Sequence, residues 1–223
     1  MSDLTLVIGN KNYSSWSMRP WVLLKQLGIP FEEMKLRFHS EEWDANIARW
    51  SPSGLVPVLW RGEVSVWDSL AIMETVNEWF PDRGVWPKDA TARAFARCAA
   101  AEMHSGFRDL RTHMPMNIRA SHPGKGMKPG VQANIDRIVQ LWTEARKRFG
   151  SSGPYLFGSF SACDAMYAPV VMRFKTYGVA LDGEAVRYCA AMREAPGVRA
   201  WIEAALQEKE FVAEDEPYAT APG

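Results

Sequence analysis

The sequence predicts a small α/β sheet domain followed by an all-α domain, and three observations carry that reading. Up to residue 80, short apolar runs of strand length alternate with segments of helical spacing. Phe80-Pro81-Asp82-Arg83-Gly84-Val85-Trp86-Pro87 then interrupts the pattern with two prolines and a glycine, as a linker does. Beyond it only helical spacing recurs. The expected division is therefore 1–80, a linker at 81–87, and 88–223.

Leu4–Ile8 is a short apolar strand, and Trp21–Leu27 belongs to a helix closed by Gly28 and Pro30. Proline is best tolerated in the first helical turn, whose N–H groups lack intrahelical partners, so Pro20 places that helix start near Ser17. Phe31–Phe38 alternates apolar and charged residues and reads as a second strand. Glu41–Trp50 is a short helix with acids in its first turn, where they favour the positive end of the dipole. Val56–Trp60 and Val64–Trp67, separated by Arg61-Gly62-Glu63, form a hairpin, and Ser69–Phe80 a helix. This order predicts a small mixed sheet with helices on its faces. After the linker, Phe95, Cys98, Ala99, Met103, Gly106, Phe107, Leu110 and Met114 recur at three- and four-residue steps, predicting one helix over Thr91–Met114. His122–Gly130 is a loop. A helix around Val131–Trp142 follows, then a nearly all-apolar central helix over Ser161–Tyr177, then two short helices at Glu184–Glu194 and Pro196–Lys209.

Composition excludes several classes. Lys+Arg and Asp+Glu both number 26, so no net basic field points to nucleic acid. No apolar run has membrane-spanning length, and MSDLTLVIGNKNY lacks a signal-peptide pattern. Cys98, Cys163 and Cys189 are odd in number and widely spaced, which fits a reducing cytoplasm. Neither they nor the four histidines show metal-ligand spacing, so no metal is expected.

Two groups of residues carry candidate chemistry. Proline at the start of a strand cannot donate to the sheet, so Val56-Pro57 belongs at an edge or is there for its conformation. With that bond cis, Val56 can present its N–H and C=O to an extended peptide. Asp68-Ser69, opening the next helix, offers a carboxylate, a hydroxyl and free N–H groups to the ends of such a peptide. Ser14 and Ser15 precede the first helix, in the field of its N-terminal amides. A serine hydroxyl there can donate to a thiolate and lower the thiol's pKa.

Together these residues resemble the cytosolic glutathione transferases, over essentially the whole chain. Ser14-Ser15-Trp16-Ser17 followed by Arg19 is similar to the Ser-Ser-Cys-Ser pattern of the zeta class, with tryptophan for cysteine. Pro52, Gly54, Val56 and Pro57 match the family's proline-containing segment, Asp68-Ser69 its acid–serine pair, and Ser161-x-x-Asp164 its N-capping box. Leu55 departs from the Lys or Gln often found before Val-Pro. The resemblance implies a thioredoxin-like N-terminal domain and a helical-bundle C-terminal domain. It implies glutathione as co-substrate, held by Val56, Pro57, Asp68 and Ser69, with its sulfur near Ser14 or Ser15. It also implies a small electrophile as second substrate and a homodimer, to which Trp86 and the exposed side of the long helix are candidate contributors. Phe107, Arg108, Arg111 and Met114, with Met103 and Met116, are expected to line the electrophile pocket, Arg108 or Arg111 pairing an anionic substrate. The implied function is conjugation of glutathione to an electrophile, as in detoxification. The alternatives are a glutathione-dependent cis–trans isomerase of the maleylacetoacetate type and a non-catalytic binding protein. Asp164 is assigned to folding.

Overall fold

The computed structural model describes residues 3–219. Four strands form one sheet: β1 (Leu4–Ile8), β2 (Glu32–Lys35), β3 (Val58–Arg61) and β4 (Val64–Val66), in the order β2-β1-β3-β4. β1 runs parallel to β2 and antiparallel to β3, and β3–β4 is a hairpin with Gly62 at φ 58°. Side chains alternate across a strand, so neighbouring residues serve different cores. Leu4, Leu6, Ile8 and Leu59 face the main core, whereas Val7, Val58 and Leu36 face the helix α2 (Glu41–Trp50), with Trp43, Ile47 and Trp50 packed over them.

The main core is shared between the two halves. Helix α1 (Ser15–Gln26) packs on α3 (Ser69–Trp79) and also on the central helix α7 (Ala162–Tyr177) and on α9 (Pro196–Gln207). At Gly197 a Cβ would meet the Val22 carbonyl at 2.9 Å, so α9 approaches α1 closely enough to require glycine. The C-terminal half is completed by α4 (Ala90–Ser105), α5 (Arg108–His113), α6 (Val131–Phe149) and α8 (Gly183–Glu194). Val56-Pro57 and Trp67-Asp68 are both cis peptides.

Three expectations need correction. The helix predicted over Thr91–Met114 is broken: α4 ends on Gly106, whose N–H donates to Glu102 O at 2.8 Å, and Phe107 takes a left-handed φ of 55° before α5 begins. Apolar spacing of three and four residues continues through the break because both pieces pack on the same core. α1 starts two residues before the position inferred from Pro20, which lies inside it. Its first turn is held by the Met18 N–H on Ser14 O and by Arg19 Nη1 on Ser15 O at 3.0 Å, which outweighs the one bond a proline removes. Trp86 is buried in its own chain, so its ring does not form an exposed contact surface.

Candidate functional site

Two cavities adjoin between the sheet and the helical half. One, of about 420 Å³, is lined by Trp16, Ser53, Leu55, Val56, Pro57, Trp67, Asp68, Ser69 and His104. The other, of about 360 Å³, is lined by Tyr13, Ser14, Ser15, Trp16, Phe38, Trp43, Leu55, Val56, Arg111, Pro115, Met116, Arg173 and Asp215. Trp16, Leu55 and Val56 border both.

In the first cavity, Asp68 is the N-cap of α3, its Oδ1 accepting from Leu70 N–H at 3.1 Å. Its Oδ2 lies 2.7 Å from Nε2 of His104, which α4 supplies. Ser69 is fully buried, and its Oγ has no hydrogen-bond partner among the described residues. A buried hydroxyl without a partner is costly, and this one belongs to a residue of the cavity wall.

In the second cavity, Ser14 is the N-cap of α1 but makes no side-chain capping bond, and the first helical amide, Ser15 N–H, donates to Tyr13 O at 2.8 Å. Ser14 Oγ donates instead to Ser17 Oγ at 2.7 Å, which also accepts from Gly9 N–H at 3.1 Å. Ser15 Oγ accepts from Nη2 of Arg173 at 3.2 Å. Arg173 is fixed by its Nε on Met114 O at 2.8 Å, while its Nη1 has no partner among the described residues. Burial, with Arg111 adding to it, lowers the Arg173 pKa to about 10, which leaves the guanidinium charged at neutral pH. Arg19 and Arg111 both stand over the Trp16 ring, at 4.0 and 5.4 Å from its centroid, and His104 meets its edge. The indole thus packs between cations and the Asp68 partner.

Ser14, Ser15, Val56, Pro57, Asp68 and Ser69 all lie on these cavity walls. Of the residues expected around the electrophile, Arg111 and Met116 line the second cavity. Phe107 and Met114 are buried in the core, and Arg108 is exposed. That arrangement follows from the helix break, which turns α5 relative to α4. Arg173 and His104 were not anticipated. Arg173 is the one charge in the central stretch of an apolar helix, which could have marked it. Among the described residues no His/Cys/Asp/Glu group of three or more could hold a metal, and no helix is long and apolar enough to cross a membrane.

A β2-β1-β3-β4 sheet flanked by helices, joined to a helical bundle with a cleft between them, is the thioredoxin-like two-domain architecture of glutathione transferases. Residues 13–79 match the glutathione S-transferase N-terminal domain and residues 128–204 the C-terminal domain. A probable maleylacetoacetate isomerase of Caenorhabditis elegans is 31% identical over 170 residues, covering 75% of this chain and 77% of that protein. Glutathione S-transferase 1 of Dianthus caryophyllus is 31% identical over 103 residues, 46% of either chain, so the match spans about half the length of that relative. A Burkholderia glutathione transferase homologue solved with bound glutathione shares the fold, with a TM-score of 0.69 at 22% identity, covering 92% of this chain and 99% of that one. The chain belongs to the glutathione S-transferase family.

Proposed function

We propose that the protein is a glutathione transferase whose two cavities hold glutathione and an electrophile, and that they meet where the sulfur reacts. The observation carrying this is the shared Trp16–Leu55–Val56 border. The acid–hydroxyl pair lies on one side of it and the serines at the α1 start on the other. Glutathione supplies a nucleophilic thiol. Asp68 accepts from its α-amino group, and Ser69 Oγ with the first amides of α3 meets its α-carboxylate. Val56 pairs along the peptide, and Ser14 or Ser15 donates to the sulfur and holds it as thiolate. The remaining acceleration comes from placing two reactants in adjoining sites. A reducing cytoplasm suits the three free cysteines, and the working form is a homodimer.

The test is glutathione-dependent chloride release from 1-chloro-2,4-dinitrobenzene, together with the thiolate difference absorbance of bound glutathione across pH. Bound glutathione with neither signal would leave a binding protein. Asp68→Ala should raise KM for glutathione about 20-fold with a smaller change in kcat. That is the ~2 kcal/mol of a hydrogen bond to a charged group. An unchanged KM would remove Asp68 from the site.

A second reading is favoured by Arg173 and Arg111. Two guanidiniums in the electrophile cavity, one with an unused N–H, suit a substrate carboxylate. This is the chemistry of an isomerase acting on an unsaturated keto acid. The two reactions separate by stoichiometry, since a transferase consumes thiol and an isomerase returns it.

A further inference from the structure

Asp215 brings a third charge to the electrophile cavity. It closes a one-turn 3-10 segment, Ala213–Asp215, and lines the wall that also carries Arg111 and Arg173. Its position is set by anchors on both sides. Glu208 accepts from the N–H groups of Lys11 and Asn12 at 2.9 and 3.0 Å, and Tyr13 Oη donates to Glu216 at 2.7 Å. Tyr218 Oη donates to His113 O at 2.8 Å, and Val212 is buried. The carboxylate is therefore presented to the cavity by a segment tied down before and after it. Yet it leaves Nη1 of Arg173 without a partner.

Two guanidiniums that suit an incoming carboxylate thus already share their cavity with a carboxylate of the chain. We propose that Asp215 is a specificity-determining residue. It competes with a substrate carboxylate for the field of Arg173 and Arg111, and so sets the discrimination between acidic and neutral electrophiles. This rests on reading the cavity as the second-substrate site. Ionised, Asp215 offsets one of the two positive charges and repels an acidic substrate. Protonated, it leaves both to the substrate.

Asp215 interacts electrostatically with Arg173 and Tyr177 of α7, His39 after β2, and its neighbours Glu214 and Glu216, while Arg111 of α5 lines the same cavity. Burial, then Glu214 and Glu216, push its carboxyl up to about 6 against the opposing pull of Arg173 and His39. Selectivity for acids should therefore grow as pH falls through about 6.

The test compares 4-chloro-3-nitrobenzoate with its neutral amide. In each, the glutathione thiolate forms a carbon–sulfur bond and chloride leaves with the carbon–chlorine electron pair. Taking the ratio of kcat/KM for acid over amide cancels the pH dependence of the thiol. The wild-type ratio should rise several-fold between pH 7.5 and 5.5. Asp215→Asn should raise it about 10-fold at pH 7.5 and flatten its pH dependence, and Asp215→Glu should restore wild-type behaviour. A ratio in Asp215→Asn within twofold of wild type at pH 7.5 would overturn the proposal. If wild type turns over neither compound, the transferase reading fails separately. Asp215 is then judged by calorimetric titration of the same benzoate into protein saturated with S-methylglutathione. Tighter binding to Asp215→Asn supports the competition, and equal affinity overturns it.

Discussion

Ser14→Ala should lower kcat with a model aryl halide about 100-fold and shift the ionisation of bound glutathione to higher pH, the scale of removing one donor from a developing or stored anion. The geometry behind this is the hydroxyl chain of the α1 start. Ser14 Oγ donates to Ser17 Oγ, which holds a second partner in the Gly9 N–H. When a thiolate arrives, the Ser14 proton can turn to sulfur without leaving Ser17 unsatisfied. Removing that donor destabilises the thiolate relative to the thiol. The thiol pKa therefore rises, and the rate profile moves to the alkaline side. Ser15 differs because its oxygen already accepts from Arg173. Ser15→Ala frees a buried guanidinium N–H and should act mainly on acidic substrates. The larger rate loss and alkaline shift in Ser15→Ala instead would move the sulfur-binding role to Ser15. Ser14 does not cap α1 with its side chain, so the change in folding stability in Ser14→Ala should stay near about 1 kcal/mol.

Asp164→Ala should destabilise the fold by about 3 kcal/mol, measured by denaturant unfolding, because it strands a set of buried donors. Asp164 sits fully buried at the start of α7. Its Oδ1 accepts from Leu156 N–H at 3.0 Å, and its Oδ2 accepts from Ser161 N–H at 2.8 Å and Ser161 Oγ at 2.9 Å. Burial outweighs these bonds and raises its pKa from 3.8 to about 6. A carboxyl raised on folding adds stability that is complete below its unfolded value and lost as pH rises through its folded one. Wild-type stability should therefore fall across pH 4 to 6 through this group, and the alanine variant should show a shallower slope there. An equal slope in both would exclude Asp164 as a source of that dependence.

The order of strands and helices was legible because each element declares itself locally. Val58 and Leu59 alternate between two cores, Gly62 makes the tight turn, and Asp68 caps the helix that follows. The break at Gly106 was not legible, since Leu110 and Met114 keep the apolar spacing of α4 after the chain has turned. The candidate site divides the same way. Val56-Pro57, Asp68-Ser69 and Ser14-Ser15 are short motifs with local roles, visible in a window of a few residues. His104, Arg173 and Asp215 reach the cavities only through tertiary packing, from segments whose own patterns concern helix faces or an acidic stretch. No spacing rule links position 68 to 104, or 15 to 173.

Three hydrogen bonds of the loop before Ser14 join it to residues about two hundred positions further along. The Lys11 and Asn12 N–H groups bond Glu208, and the Lys11 carbonyl accepts from Trp201 Nε1 at 2.9 Å. Ribosomes add roughly 5–20 residues per second, so these partners emerge some 10–40 s after the loop itself. Throughout that interval the nascent chain carries its serines without the clasp that sets them. Assembly of this loop is thus tied to synthesis of the α9 end of the helical half, and a fragment stalled after the sheet half should lack the clasp.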